Sequence, residues 1–137
     1  MMPPLKGLLE TALYVADLER AAEFYGRVFG FETLLQSERM HALKIVETQI
    51  LLLFVGGGST QGEATPGGFI PPHDARGQIH LAFAIELDTV EEWRAHLHRC
   101  GVEIESEVDA NAGHSIYFRD PDGHAVELGT AGLWKLK

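Results

Sequence analysis

The chain spells the same order of elements twice, and this internal repeat constrains the fold more than any other feature. Leu8–Val15 (LLETALYV) reads as a strand, and Asp17 can cap a helix running to about Phe29. In that helix Leu18, Ala21, Ala22, Tyr25, Val28 and Phe29 form one apolar stripe, and Gly30 stops it. Three strand candidates follow: Phe31–Ser37, Met40–Val46 and Gln49–Val55. The second half begins again with the strand Gln78–Glu86. Thr89 and Glu92 have the spacing of a capping box, and Val90, Trp93, Leu97 and Cys100 form a stripe that Gly101 ends. Val102–Val108, His114–Arg119 and His124–Gly129 are three further strand candidates, with Asp120-Pro-Asp-Gly123 as a tight turn between the last two. Glu10 precedes His80 by 70 residues and Gly30 precedes Gly101 by 71, so the register is kept. The expectation is an α+β fold of two tandem β-α-β-β-β modules in one 137-residue domain, residues 8–55 and 78–129. The Gly/Pro-rich stretch 56–77 joins them as a plain tether or as a mobile lid.

Each four-stranded module has one helix-covered face and one face that needs other cover. Strand alternation sets Leu9, Thr11, Leu13 and Val15 under the first helix, with Glu10, Ala12 and Tyr14 opposite. In the second half His80, Ala82 and Ala84 share the open face, as do Ala125, Glu127 and Gly129 in the last strand. Each open face thus sets one ionisable group among small residues. A buried carboxylate must be paired, protonated or metal-bound. Glu10, His80 and Glu127 could therefore converge on one divalent ion, or the carboxylates could lie on a solvated face with His80 an ordinary strand histidine.

The net charge of −9 argues against nucleic-acid or anionic-membrane partners. The longest unbroken aliphatic/aromatic run, Ile50–Val55, is far too short to span a membrane. The single cysteine, Cys100, precludes an internal disulfide or a multi-cysteine zinc site. The opening Met-Met-Pro-Pro-Leu-Lys has no export-signal pattern, so the expected compartment is the cytoplasm.

Three stretches carry a resemblance over about residues 8–134: Ala12-Leu-Tyr-Val-Ala-Asp-Leu18 leading to Phe24-Tyr25 and Gly30-Phe31; Ile79-His-Leu-Ala-Phe83; and Ile116-Tyr-Phe-Arg-Asp-Pro-Asp-Gly-His-Ala-Val-Glu-Leu128. On these the sequence resembles the vicinal oxygen chelate superfamily, which includes glyoxalase I, bleomycin-resistance proteins, fosfomycin-resistance enzymes and extradiol dioxygenases. The resemblance implies paired modules forming a cup-shaped sheet, with metal ligands on first and last strands. It places Glu10, His80 and Glu127 at the ligand positions and implies a homodimer that can complete each site from two chains. Two departures stand out. Extradiol dioxygenases and fosfomycin enzymes typically show a histidine where Glu10 stands. The strand that carries a fourth ligand in glyoxalase I reads Ile50-Leu-Leu-Leu-Phe54 and has no metal-binding side chain.

Two carboxylates and one imidazole favour Fe²⁺, Mn²⁺, Ni²⁺, Co²⁺ or Mg²⁺ and leave zinc open. The implied function is a metal-dependent enzyme, a glyoxalase-like lyase/isomerase or a dioxygenase, acting on a small oxygenated molecule. The alternative is a metal-free binding protein of the bleomycin-resistance type. Glu10 is the first candidate base. Tyr117 can donate to an anionic intermediate or simply pack, and His73, in the long loop, can swing over the cup or stay solvated. His114 and His124 begin strands beside turns and read as solvent-exposed, and His96 and His98 read as surface residues. Arg119 reads as locally paired. His41 and Lys44 are possible pocket residues.

Overall fold

A computed structural model describes all residues, 1–137. The first strand, β1 (Glu10–Val15), begins two residues later than its apolar pattern. Asp17 then caps α1 (Leu18–Phe29) as its sequence predicts, in extended backbone and accepting from the Arg20 N–H at 3.1 Å. Gly30 takes the left-handed conformation (φ 71°) and its N–H returns to the Gly26 carbonyl, which ends the helix. Leu18, Ala21, Tyr25 and Val28 are buried as the stripe requires; Phe24 joins them, whereas Ala22 and Phe29 are only half-buried.

Strands β2 (Glu32–Gln36), β3 (Met40–Val46) and β4 (Gln49–Val55) complete a sheet ordered β1-β4-β3-β2, with β1 and β4 parallel and the other pairs antiparallel. Leu13, Val15, Leu43, Leu51 and Leu53 lie on the helix-covered face and are fully buried. Leu9 and Thr11, expected there too, are exposed because they precede or open the strand.

The stretch 56–77 is folded back on this first sheet. It contains a hairpin, β5 (Glu63–Thr65) and β6 (Gly68–Ile70), where neither a strand nor a turn stood out in the sequence. Arg39 pairs with Glu63 at 2.5 Å, the Gly57 N–H donates to Asp74 at 3.0 Å, and the His73 N–H donates to the Ser59 carbonyl at 3.0 Å. These bonds tie the stretch at several points.

The second sheet follows the same plan: β7 (His80–Ala84), α2 (Val90–Arg99), β8 (Ser106–Ala110), β9 (Gly113–Arg119) and β10 (Ala125–Gly129), ordered β7-β10-β9-β8 with β7 and β10 parallel. Ile116, Phe118, Val126 and Leu128 form its core with Val90 and Leu97 of α2. The capping box does not form. A 3-10 turn, Leu87–Thr89, runs straight into α2, so the Thr89 hydroxyl donates to the Glu86 carbonyl at 2.7 Å rather than capping the helix. Strand β8 starts four residues later than its apolar pattern. After β10 a second 3-10 turn, Ala131–Trp134, closes against the start of β9.

Contacts divide the chain into two compact units, Met1–Arg76 and Gly77–Lys137. Each has a helix-covered sheet face and an open one. No helix is long and apolar enough to cross a membrane.

Candidate metal centre and the two open faces

On the open face of the second unit the register sets His80 beside Ala125, Ala82 beside Glu127, and Ala84 beside Gly129. Tyr117 lies across from Glu127 and Ser115 across from Gly129 on β9. The small residues make room. At Gly129 a Cβ would lie 2.8 Å from Glu127 Oε2 and 3.1 Å from Leu133, so no side chain fits there unless its neighbours shift.

Glu127 is 8% exposed, which overturns a solvated face for this carboxylate. The Ser115 hydroxyl donates to its Oε2 at 2.5 Å, and Oε1 faces His80 Nε2 at 3.1 Å. His80 Nδ1 lies 2.9 Å from the Ala125 carbonyl, which can only accept, so Nδ1 carries a proton. In neutral His80 the Nε2 lone pair therefore points at a carboxylate oxygen. Two acceptors in that arrangement need a proton, on the imidazole or on the carboxyl, or a metal ion. Adjacent ligands of an octahedral ion with bonds of about 2.1 Å stand about 3.0 Å apart, and the observed spacing fits that. The pair suits a metal. Ser115 and the Ala125 carbonyl orient the carboxylate and the imidazole from behind. The Tyr117 ring centroid lies 6.2 Å from that of His80, on the same face.

The open face of the first unit differs. Glu10 sits at the start of β1, exposed, beside Ile50. Ala12 pairs with Leu52 and Tyr14 with Phe54, so Leu52 holds the register position that Glu127 holds in the second unit. Tyr14 OH lies 2.7 Å from His73 Nδ1, and the His73 ring sits edge-on to Phe54 at 4.5 Å. His73 thus rests against Tyr14 and Phe54. Burial and then the nearby Asp74 carboxylate raise the Tyr14 pKa above its ordinary value, so the phenol stays protonated and can donate to Nδ1. Four residues of β1, roughly 13 Å at about 3.3 Å per residue, separate Glu10 from Tyr14. His73 and Glu10 mark opposite ends of the same face.

The second unit therefore brings His80, Glu127 and Tyr117 together, while Glu10 and His73 belong to the first. No group of three His, Cys, Asp or Glu side chains in the chain is placed so that it could hold a metal ion. Other expectations are corrected. His124 is 2% exposed and accepts the Ile79 N–H on Nδ1. His114 is mostly buried between Asp109 (2.8 Å) and Glu107 (2.7 Å), because its strand position faces inward. Those two carboxylates raise its pKa, with Asp109 the larger cause. Arg119 is paired as expected, with Glu105 and with the nearby Gly123 carbonyl at 3.1 Å. Lys44 binds Glu47 at 2.8 Å, while His41, buried on the face away from Glu10, does line a cavity, with Gln36, Glu38 and Val55.

Two β-α-β-β-β units in tandem, each with a helix-covered and an open sheet face, define an α+β tandem-module class. The superfamily described as Glyoxalase/Bleomycin resistance protein/Dioxygenase matches residues 7–128, and the chain belongs to it. It is 28% identical over 130 residues to the metallothiol transferase FosB of Bacillus licheniformis, covering 93% of this chain and 77% of that one. It is 30% identical over 128 residues to the lactoylglutathione lyase of Salmonella typhimurium, covering 88% and 90%. The crystal structure of lactoylglutathione lyase from Agrobacterium tumefaciens superposes with a TM-score of 0.87 at 35% identity, covering 98% of this chain and all of that one. These relatives are enzymes by name, one with a metal in its name. They support reading this chain as a metal-dependent enzyme of the superfamily.

Proposed function

We propose that the protein is a cytoplasmic, homodimeric, metal-dependent enzyme that carries out glyoxalase-like lyase or isomerase chemistry on a small molecule bearing two adjacent oxygens. His80 and Glu127 hold the divalent ion, with Glu10 as the third ligand. The observation that carries this reading is the His80 Nε2–Glu127 Oε1 approach of 3.1 Å, with the imidazole proton fixed on the other nitrogen. When bound, the ion supplies open coordination positions and polarises a substrate oxygen. Glu10 is exposed and able to leave that role to accept a substrate proton. Tyr117, beside His80, donates to an oxygen that gains negative charge. His73, held by Tyr14, supplies a second acid/base group at the far end of the first unit's face. Ile50, Leu52 and Met40, half-buried there, suit an apolar portion of the substrate, and their partial exposure together with exposed Leu34 and Leu35 supports a second copy as cover.

The test is elemental analysis of tag-free protein beside Glu127→Ala, followed by Mn²⁺, Ni²⁺ and Zn²⁺ titrations. The expected result is about one ion per chain in the parent and affinity at least about 100-fold weaker in the variant. A parent that takes up no metal, or a variant that matches it, favours the metal-free binding protein. Metal-loaded enzyme should then turn over an α-ketoaldehyde thiol adduct in preference to a catechol.

A further inference from the structure

Resting on the assignment of His80 as a metal ligand, we propose that His124, in the Asp120-Pro-Asp-Gly-His124 turn, is the positioning residue that fixes His80. The turn is built before it meets β7. Asp120 is buried, its Oδ1 accepts the N–H groups of Asp122 (3.0 Å) and His124 (2.9 Å), and its own N–H donates to the His124 carbonyl at 3.2 Å. This leaves the His124 imidazole, 2% exposed, aimed at the chain just ahead of His80, where Nδ1 accepts the Ile79 N–H at 3.1 Å. The Ala125 N–H donates to the Ile79 carbonyl at 2.8 Å. Both main-chain polar groups of Ile79 are thus held by residues 124 and 125, and the His80 ring is held by the Ala125 carbonyl at 2.9 Å. Gly123 supplies the left-handed backbone (φ +83°) that the turn requires.

The physical reason is that Ile79 N–H lies one residue ahead of the β7–β10 ladder, which begins at His80. Without an acceptor at residue 124 that donor is left unpaired, and the segment carrying His80 loses its anchor. Residues behind a ligand commonly govern metal affinity by 10–100-fold.

The experiment is Mn²⁺ titration, read by water-proton relaxation, on the full chain and three variants, each well below its own melting temperature. His124→Asn keeps an acceptor one bond beyond Cγ, where Nδ1 sits, and should bind Mn²⁺ within about 3-fold of the parent. His124→Leu removes it and should bind about 10-fold more weakly. His124→Gln carries its acceptor one bond too far out and should resemble His124→Leu, so the Asn/Gln contrast decides the matter if His124→Leu fails to fold. Equal affinity in the parent and a folded His124→Leu or His124→Gln overturns the proposal, as does His124→Asn binding as weakly as His124→Gln. A parent that binds no metal fails instead at the underlying assignment and takes the proposal with it.

Discussion

Leu53 in β4 and Leu128 in β10 hold matching registers, beside Leu13 and Phe83 respectively, and both are fully buried. Their neighbours Leu52 and Glu127 also match in register but share no chemistry. The helix-covered faces of the two units have kept one apolar solution, while the open faces have diverged. The second unit's face carries the His80–Glu127 pair among Ala82, Ala84 and Gly129. The first unit's face carries one carboxylate and a wall of Ile50, Leu52, Phe54 and Tyr14. A duplicated scaffold is constrained where it must exclude water and free where it meets a ligand. The number of ligand-bearing positions is the product of that freedom. Leu52 at the Glu127 position leaves three candidate ligands where two fully matching units would offer four.

The comparison can be broken at its strongest point, the core. Leu53→Ala and Leu128→Ala should each cost about 2–5 kcal/mol by urea unfolding, because each deletes a fully buried side chain at an equivalent site. A large loss in one and none in the other would show that the two units do not share a packing scheme. The open faces should behave oppositely. Glu10→Ala should weaken Mn²⁺ binding by about 100-fold, whereas Leu52→Ala should change it by less than about 2-fold. Comparable losses in both would remove Glu10 from the ligand set. A finer distinction concerns Ser115→Ala, which deprives a buried carboxylate of its 2.5 Å donor. We expect about 10-fold weaker metal binding, with a loss of about 1–3 kcal/mol in stability by thermal unfolding.

Much of this architecture was legible in the chain. The α1 stripe and its Asp17 and Gly30 ends are local signals, read from residues within one turn of each other. The Thr89–Glu92 spacing misled because the preceding Leu87–Thr89 already turns, so the hydroxyl's best partner lies behind it. The β5–β6 hairpin was invisible because three-residue strands leave no alternation to count. In the site, His80 and Glu127 stood out as ionisable residues on faces of small ones. Ser115, the Ala125 carbonyl and His124 gained their roles from strand register. A bond from residue 124 to residue 79 has no local sequence signature.

The smallest effect comes from the second residues of β3 and β9, His41 and His114. In the first unit His41 faces Gln36 across the ladder, and its Nδ1 has no partner. In the second, His114 faces Asp109 and also reaches Glu107, which holds its pKa above the ordinary 6.5. The folded protein therefore binds this proton more tightly than the unfolded chain does. The resulting stability is fully present below about pH 6.5 and is lost as pH rises through the raised value. Glu107 limits the acid side. Arg94 first, and His114 after it, lower its pKa to about 2 from 4.5, so that contribution fades as pH falls below about 4.5. The network should be strongest between about pH 4.5 and 6.5. Its worth is about 1 kcal/mol or less, because Asp109 is exposed and salt screens it. Melting temperature against pH should fall gently above neutrality in the parent, and His114→Gln should flatten that slope. A slope that persists in His114→Gln would remove this network as its cause.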